Sequence, residues 1–554
     1  MSSSPLPELG PPLVGDGIFP NEKVVAVPSS DDSLASVITP PECNVQYIIT
    51  QETNPEVLAL SFATWKKWMI LTIIFLVQTS MNFNTSLYAN GQAGIAKEFN
   101  VSRQTTVTGA AVFLITYAFG CELWAPWSEE LGRKFVLQGS LFLVNLCCLP
   151  VGLAKPNGIT SIFVGRAFGG LFSAGGSVTL GMVADMFPAE EQEYPLAFIV
   201  LSSVGGSIVG PIIGGFVETY LKWRWTIWIQ LGFGAFVQIL HLVLVPETRD
   251  TVRLDAHAKY LRKSGIMPRA SGPTDHKTWR QYLMPREMLT IWLRPFRMFI
   301  TEPIVLVLSA LSGFSDALIF MQIQSFGLVF KLWNFSAIQT GLVSYSDSTH
   351  RFYHFLTLHQ AFTSFGLAYI VAYVLFIPVI RRNRQLRIQN PSCEHAQYES
   401  RMWWLLYTAP CLPIGLLIFA WTSTPSVPWI TPMLGCLLIG IANYTIYMAT
   451  IDYMVAAYGP YSASATGGNG FARDFLAGIL TWLAGPYYNA FHGKFALQTA
   501  NSVLACISLI LVVATFIIYF KGPSMRRRSS FAQSLRKELP SSPVSATIPL
   551  TADV

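Results

Sequence analysis

Gly205-Gly206-Ser207-Ile208-Val209-Gly210-Pro211-Ile212-Ile213-Gly214-Gly215 sits within an apolar stretch, about residues 196–217, that carries no charge. Gly206, Gly210 and Gly214 recur every four residues, so on a helix they form one face without side chains. In water such a helix is poor, because each glycine costs about 1 kcal/mol relative to alanine and proline costs more. In a bilayer the same face lets a neighbouring helix approach closely, and neighbours can satisfy the carbonyl that Pro211 frees. The run reads as a packing seam of a membrane helix, and its glycine-proline pair also suits a gating hinge.

Composition supports the bilayer. The 554 residues are 52% hydrophobic and 12% charged, with a mean hydropathy of +0.43, whereas soluble domains carry about 25% charged residues. Polytopic membrane protein is the class that fits. The eight cysteines are scattered, and only Cys147 and Cys148 are close, in an apolar run; neither a disulfide framework nor a metal site is indicated. The first apolar run is preceded by polar sequence rather than a secretory signal, and no ATP-binding loop, hydrolase or redox constellation is visible. These observations point away from an enzyme, a cofactor and a nucleic-acid partner.

Residues 1–67, rich in Pro and Ser with little periodicity, read as a disordered tail. Beyond them, twelve runs are long enough to cross roughly 30 Å of hydrocarbon. They lie at about 68–88, 107–127, 135–154, 160–184, 195–217, 225–245, 299–325, 358–380, 403–421, 430–451, 465–488 and 496–520. The eleventh is the weakest, since it holds Gly467, Gly468, Gly470, Arg473 and Asp474. A basic central loop, 246–298, divides the chain into a first six-helix half, 68–245, and a second, 299–520, followed by a tail, 521–554. With both termini cytoplasmic, 27 basic residues fall inside, eight outside and two (Arg166 and Arg473) within spans; this is the asymmetry that sets orientation. The sequons at Asn100 and Asn334 then land in external loops, where glycosylation is expected.

Three segments carry the chemistry. Between spans two and three, Ser128-Glu129 and Gly132-Arg133-Lys134 suit a charge clamp between helix ends, although simple positive-inside anchoring explains the charges as well. In span four, Arg166 precedes a glycine-rich stretch to Gly176. An arginine in hydrocarbon costs about 2.5–3.5 kcal/mol or more, so it faces a partner or a cavity, or else bonds facing backbone. The third segment is the glycine-proline run. In order and placement the three resemble signatures of the major facilitator superfamily, and look most like its twelve-span drug:proton antiporter branch in the fungal form that includes multidrug and polyamine exporters. Pro246-Glu247-Thr248, Arg294-Pro295-Phe296, Thr301-Glu302-Pro303, Glu399-Ser400-Arg401 and Pro413-Ile414-Gly415-Leu416 extend the resemblance, which covers about Trp68 to Lys521. It implies an all-α membrane protein of two six-helix halves rocking about a central site, with export driven by inward proton flow. Gly206, Gly210, Pro211, Gly214 and Gly215 then form the antiporter hinge. The chain departs from the group at Cys121-Glu122 (often Gly-Pro), Gln324 (often Glu), the acidic stretch Ala189 to Tyr194 (usually with a basic residue) and Asp474 (usually neutral).

Acids within spans are proton-site candidates. Asp316 leads, followed by Glu122; Asp474, with Arg473 or Arg166 as an ion-pair partner, and Arg166 itself complete the proton-coupling candidates, and Asp185 and Asp452 suit helix-end roles. Asn82, Asn84, Gln322, Gln324, Asn443 and Tyr447 on spans one, seven and ten are candidates for lining the substrate cavity. Residues 342–364, with His350, His354 and His359, read as an insertion in an external loop. The resulting expectation is a monomeric, multi-pass plasma-membrane exporter of a small organic molecule, driven by protons. The alternatives are a polyamine exporter and a transporter-like receptor or scaffold.

Overall fold

The computed structural model describes residues 47–156, 158–173, 175–188, 191–275, 285–329, 348–428, 430–458, 462–493, 495–529 and 531. The first half comprises α1 (Thr64–Phe99), α2 (Arg103–Glu130), α3 (Arg133–Gly152), α4 (Ile159–Leu171), α5 (Gly175–Met186), α6 (Glu193–Tyr220) and α7 (Arg224–Leu244). The connection between halves contains α8 (Asp250–Lys263) and α9 (Pro285–Thr301). The second half comprises α10 (Pro303–Val329), α11 (Ser348–Gln389), α12 (Glu394–Gln397), α13 (Trp403–Thr408), α14 (Cys411–Thr422), α15 (Ile430–Tyr458), α16 (Ser462–Ala490) and α17 (Ala496–Arg528). Ten stretches among the described residues are helices long and apolar enough to cross a membrane.

Burial separates central from peripheral helices. In α1, α10 and α15, 78% of the most apolar window is buried, against 28% in α7 and 33% in α17. The latter two present Phe236, Ile239, Ile510 and Phe520 outward, as lipid-facing residues should be. Within the first half α1 packs on α6 and α2 on α4; within the second α10 packs on α16 and α14 on α15. The halves meet where α2 runs along α16 and where α6 meets α11 and α15.

Three sequence expectations need correction. The fourth run is two helices, α4 and α5, broken at Phe172–Ser173 between two glycine pairs, each of which weakens the helix by about 1 kcal/mol per residue. The carbonyls opened by the break are met by side chains: Trp124 Nε1 donates to Leu171 O at 3.0 Å and Ser140 Oγ to Phe172 O at 2.6 Å. The N-terminal segment also gains structure earlier than expected. Tyr47–Ile48 form β1, pairing in parallel with β2 (Ala270–Ser271), and Ile49, Leu58, Leu254, Ala258 and Ala270 enclose a small core. Hence the expected disordered tail does not extend over residues 47–62. Finally, the part of the proposed insertion from Ser348 onward belongs to helix α11 rather than a loop; residues 342–347 and the side chains of the three histidines lie outside the described residues.

Candidate functional site

The glycine run lies in α6, which continues unbroken through Pro211. A Cβ on Gly206 would meet Phe83 N at 2.7 Å and Asn82 Cβ at 2.8 Å, one on Gly210 would meet Ser86 Cβ at 2.8 Å, and one on Gly214 would strike the Asn90 side chain. Asn82, Ser86 and Asn90 share one face of α1, so the two helices interlock at backbone distance, as glycine faces allow. Ser86 Oγ donates to Gly206 O at 2.9 Å, bonding the carbonyl beside that of Ser207, the one deprived of its donor by Pro211. Gly215 is buried in the same helix.

The residues of the proposed clamp lie close together, with Asp185 and Glu247 beside them. Arg133 Nε donates to Asp185 Oδ2 at 3.1 Å and its Nη1 to Ser128 Oγ at 2.6 Å; Glu129 stands 4.0 Å away. Gly132 turns the chain with φ +99°, a region that favours glycine, bringing the first amides of α3 onto Glu247. Glu247 accepts from Arg133 N at 2.9 Å and Lys134 N at 3.1 Å, an anion on a helix N-terminus. Lys134 Nζ donates to Leu242 O at 3.0 Å.

Arg166 is buried within the first half alone. Its Nη1 donates to Asn84 Oδ1 at 2.7 Å and Asn84 O at 3.1 Å, its Nε to Gly109 O at 3.3 Å, and its guanidinium lies over the Tyr88 and Phe113 rings at 4.4 and 4.1 Å. Nη2 has no hydrogen-bond partner among the described residues, and Arg166 lines a cavity of about 10 Å³ together with Asn84, Cys147 and Cys148. Asn84, expected in the substrate cavity, is therefore committed to Arg166. Asn82 is half-buried and donates to Gln78 O at 3.0 Å.

The other candidates converge where the two halves meet. Arg473 donates to Asp474 through Nε at 3.2 Å and Nη2 at 3.1 Å, so Asp474 pairs with its sequence neighbour and not with Arg166. The Arg473 guanidinium lies 4.5 Å over the Tyr447 ring, and its Nη1 has no hydrogen-bond partner among the described residues. Asp316 interacts electrostatically with Arg473 and Asp474, and Glu122, from the opposite half, with Asp474. Neither Glu122 nor Asp316 has a hydrogen bond or salt bridge among the described residues. The Glu122 carboxylate instead faces the bare backbone of Gly467 on α16; a Cβ there would sit 2.6 Å from Oε2. Asn443 donates to Ser315 Oγ at 2.9 Å and accepts from the Tyr369 hydroxyl. Gln322 is buried on the same helix as Asp316; the Gln324 side chain lies outside the described residues. The site thus gathers Tyr117 and Glu122 from the first half with Asp316, Tyr369, Asn443, Tyr447, Arg473 and Asp474 from the second. With its acids ionised, the group holds three carboxylates and one guanidinium, which interacts with Asp474 and Asp316, while Glu122 faces Asp474.

An ionic latch joins the halves on the clamp face. Glu193, at the start of α6, accepts from Arg387 Nη2 at 2.5 Å and lies 3.3 Å from Arg401, which also pairs with Asp452; Arg384 stands 4.0 Å from Glu191. Asp185 lies in the last turn of α5, whereas Asp452 lies six residues before the end of α15 and pairs with Arg401. Asn100 is exposed in a left-handed cap at the end of α1, and Asn334 lies outside the described residues.

The model of the Major Facilitator Superfamily matches residues 71–481, and the chain belongs to that family. It is a multi-pass membrane transporter of small molecules, not an enzyme. It is 28% identical over 495 residues to the transporter paaT of Penicillium rubens, covering 88% of this chain and 84% of that one. The transporter of an ascochitine biosynthesis cluster in Didymella fabae is 25% identical over 513 residues, covering 92% and 91%. Among solved structures, the proton:xylose symporter XylE of E. coli superposes with a TM-score of 0.56 at 13% identity, covering 83% of this chain and 97% of that one, a likeness of fold.

Proposed function

We propose that this transporter exports a small organic molecule, a secondary metabolite, toxin or drug, in exchange for protons. The observation that carries the reading is the group of three buried or half-buried carboxyls, two of them without hydrogen-bond partners among the described residues, at the meeting point of the halves. Such acids can load a proton or a ligand in turn. Asp316 and Glu122 are the proton-coupling residues; Arg473 holds Asp474, and Arg166 shapes the first half rather than the site. Asn443 and Tyr447 line the substrate path. One relative is by name the transporter of an ascochitine biosynthesis cluster, which supports the substrate class.

The chain crosses the plasma membrane twelve times with both termini cytoplasmic, and works as a monomer. The count adds the α4–α5 pair and α16 to the ten apolar helices. Support comes from contacts: α5 ends at the clamp face, where Asp185 meets Arg133, and α16 reaches the opposite face, where Gln104 donates to Trp482 O at 2.7 Å. The excess of carboxyls over guanidinium favours a second reading, a polyamine as substrate.

Reconstituted into proteoliposomes with an imposed pH gradient, the protein should concentrate substrate against its gradient, and Asp316→Asn should lose that concentrative transport at normal expression. Undiminished gradient-driven transport by the variant would remove Asp316 from the coupling. Saturable uptake of spermidine, competed by no neutral metabolite, would favour the polyamine.

A further inference from the structure

α9, just before α10, is too polar to cross a bilayer and presents two contrasting faces. Its outer face carries Leu289, Leu293 and Ile300, exposed at 51%, 53% and 74%, with the exposed Arg297 on the same side. These positions recur at helical spacing, giving one apolar stripe flanked by a cation. Its inner face reaches both halves. Phe296 stacks on Phe119 of α2, ring centroids 6.3 Å apart, and meets Phe471 of α16 edge-on at 4.8 Å. Trp292 lies 6.2 Å from Trp127 of α2, and a Cβ on Gly468 of α16 would approach Pro295 O at 3.2 Å. Two helical turns along α16 from Gly467 comes Asp474, so the wedge adjoins the strip where Glu122 touches the opposite half.

We propose that α9 is an interfacial helix that docks on an anionic-lipid leaflet and, through Phe296, couples that leaflet to the α2–α16 seam between the halves. The occupant follows from the stripe's chemistry. An apolar row edged by arginine fits the boundary between headgroups and acyl chains, and continues the lipid-facing belt into α10, where Leu306 is exposed. Arg297 makes the fit selective for acidic headgroups, since a basic residue at such a surface favours binding about fivefold. At the seam Phe296 touches one helix from each half, so lifting or sinking α9 changes how closely α2 and α16 approach. The transport arm of this inference rests on the exchange reading above; the docking arm does not.

The test uses the full chain in nanodiscs of phosphatidylcholine alone or mixed with phosphatidylserine, with amide hydrogen exchange of residues 285–301 as the docking readout. Phosphatidylserine should slow exchange several-fold. Arg297→Gln should abolish that dependence, and Leu293→Ser should speed exchange in both lipids. Equal exchange in the two compositions, or an unaffected Leu293→Ser, would overturn the docking. In proteoliposomes, Phe296→Ala should keep the lipid-dependent exchange yet lose the dependence of transport rate on phosphatidylserine. A transport rate that keeps its lipid dependence in that variant would overturn the coupling while leaving the docking intact.

Discussion

Arg473 and Asp474 occupy adjacent positions, yet their side chains meet in a two-pronged ion pair with both groups about 5% exposed. Removing one member of a buried pair leaves the other uncompensated, at a cost of about 3–5 kcal/mol, while replacing both with apolar groups is far milder. Asp474→Asn should therefore lower the thermal unfolding midpoint in detergent clearly more than the double change Arg473→Met, Asp474→Leu; the opposite order would show that the pair is not what holds α16 here. The intramembrane acids were legible one by one in the sequence because charge is rare there. Their convergence was not, since Glu122 and Asp316 lie far apart along the chain and meet Asp474 only through helix packing. Tyr369 carried no signal at all: it is one tyrosine of 21, and only its hydroxyl on Asn443 marks it. Asn84 misled in the other direction, because an amide on a central helix serves a buried arginine as readily as a substrate.

Helices α1 and α6 interlock without slack at three successive glycines, and that contact fixes what each position tolerates. Adding one methyl at Gly210 drives it into Ser86, an overpacking that costs about 1–3 kcal/mol. Gly210→Ala should reach the membrane with transport strongly reduced, and Ser86→Gly in the same chain should recover a substantial part of it, measured as initial rate per molecule at the surface. Absence of recovery would place the defect elsewhere than this contact. The glycine periodicity announced the seam before any coordinates, and the partner face of α1 could have been found from the matching spacing of Asn82, Ser86 and Asn90. The break between α4 and α5 was harder, because a continuous apolar run conceals it. What permits the break is polar side chains on α2 and α3, Trp124 and Ser140, that bond the loosened carbonyls.

Across the whole molecule, two unlike contacts between the halves stand out among the described residues: the α2–α16 seam, close and largely apolar, and the ionic latch around Glu193. The acidic stretch that departs from the family pattern supplies the latch. Sequence marked it as a departure without showing that arginines of α11 and the segment before α13 lie opposite. Glu193→Gln should favour opening of the halves on the clamp face by at least about tenfold, since the buried Arg387 loses its counter-charge and Arg401 is left with Asp452 of its own half. The native Cys121, buried beside Glu122, reports this directly: its labelling by a polar maleimide in inside-out vesicles, followed by mass spectrometry of its peptide, should accelerate. Labelling that stays as slow as in the unaltered protein would mean the latch does not hold this face shut.

The small knot formed by residues 47–62 with α8 and β2 alters the mechanics of the connection between the halves. Arg253 donates to Val57 O at 2.6 Å and to Glu247 O at 3.1 Å, and Arg262 holds Asp275 at 2.6 Å, so the connection is bound to the first half as far as Asp275. α9 is in turn seated on the seam. The stretch joining these two anchored parts is residues 276–284, which even fully extended reaches only about 35 Å. A connection that looks in the sequence like a loose strap of some fifty residues is thus tied down over most of its length, its first part moving with the first half and α9 riding on the seam.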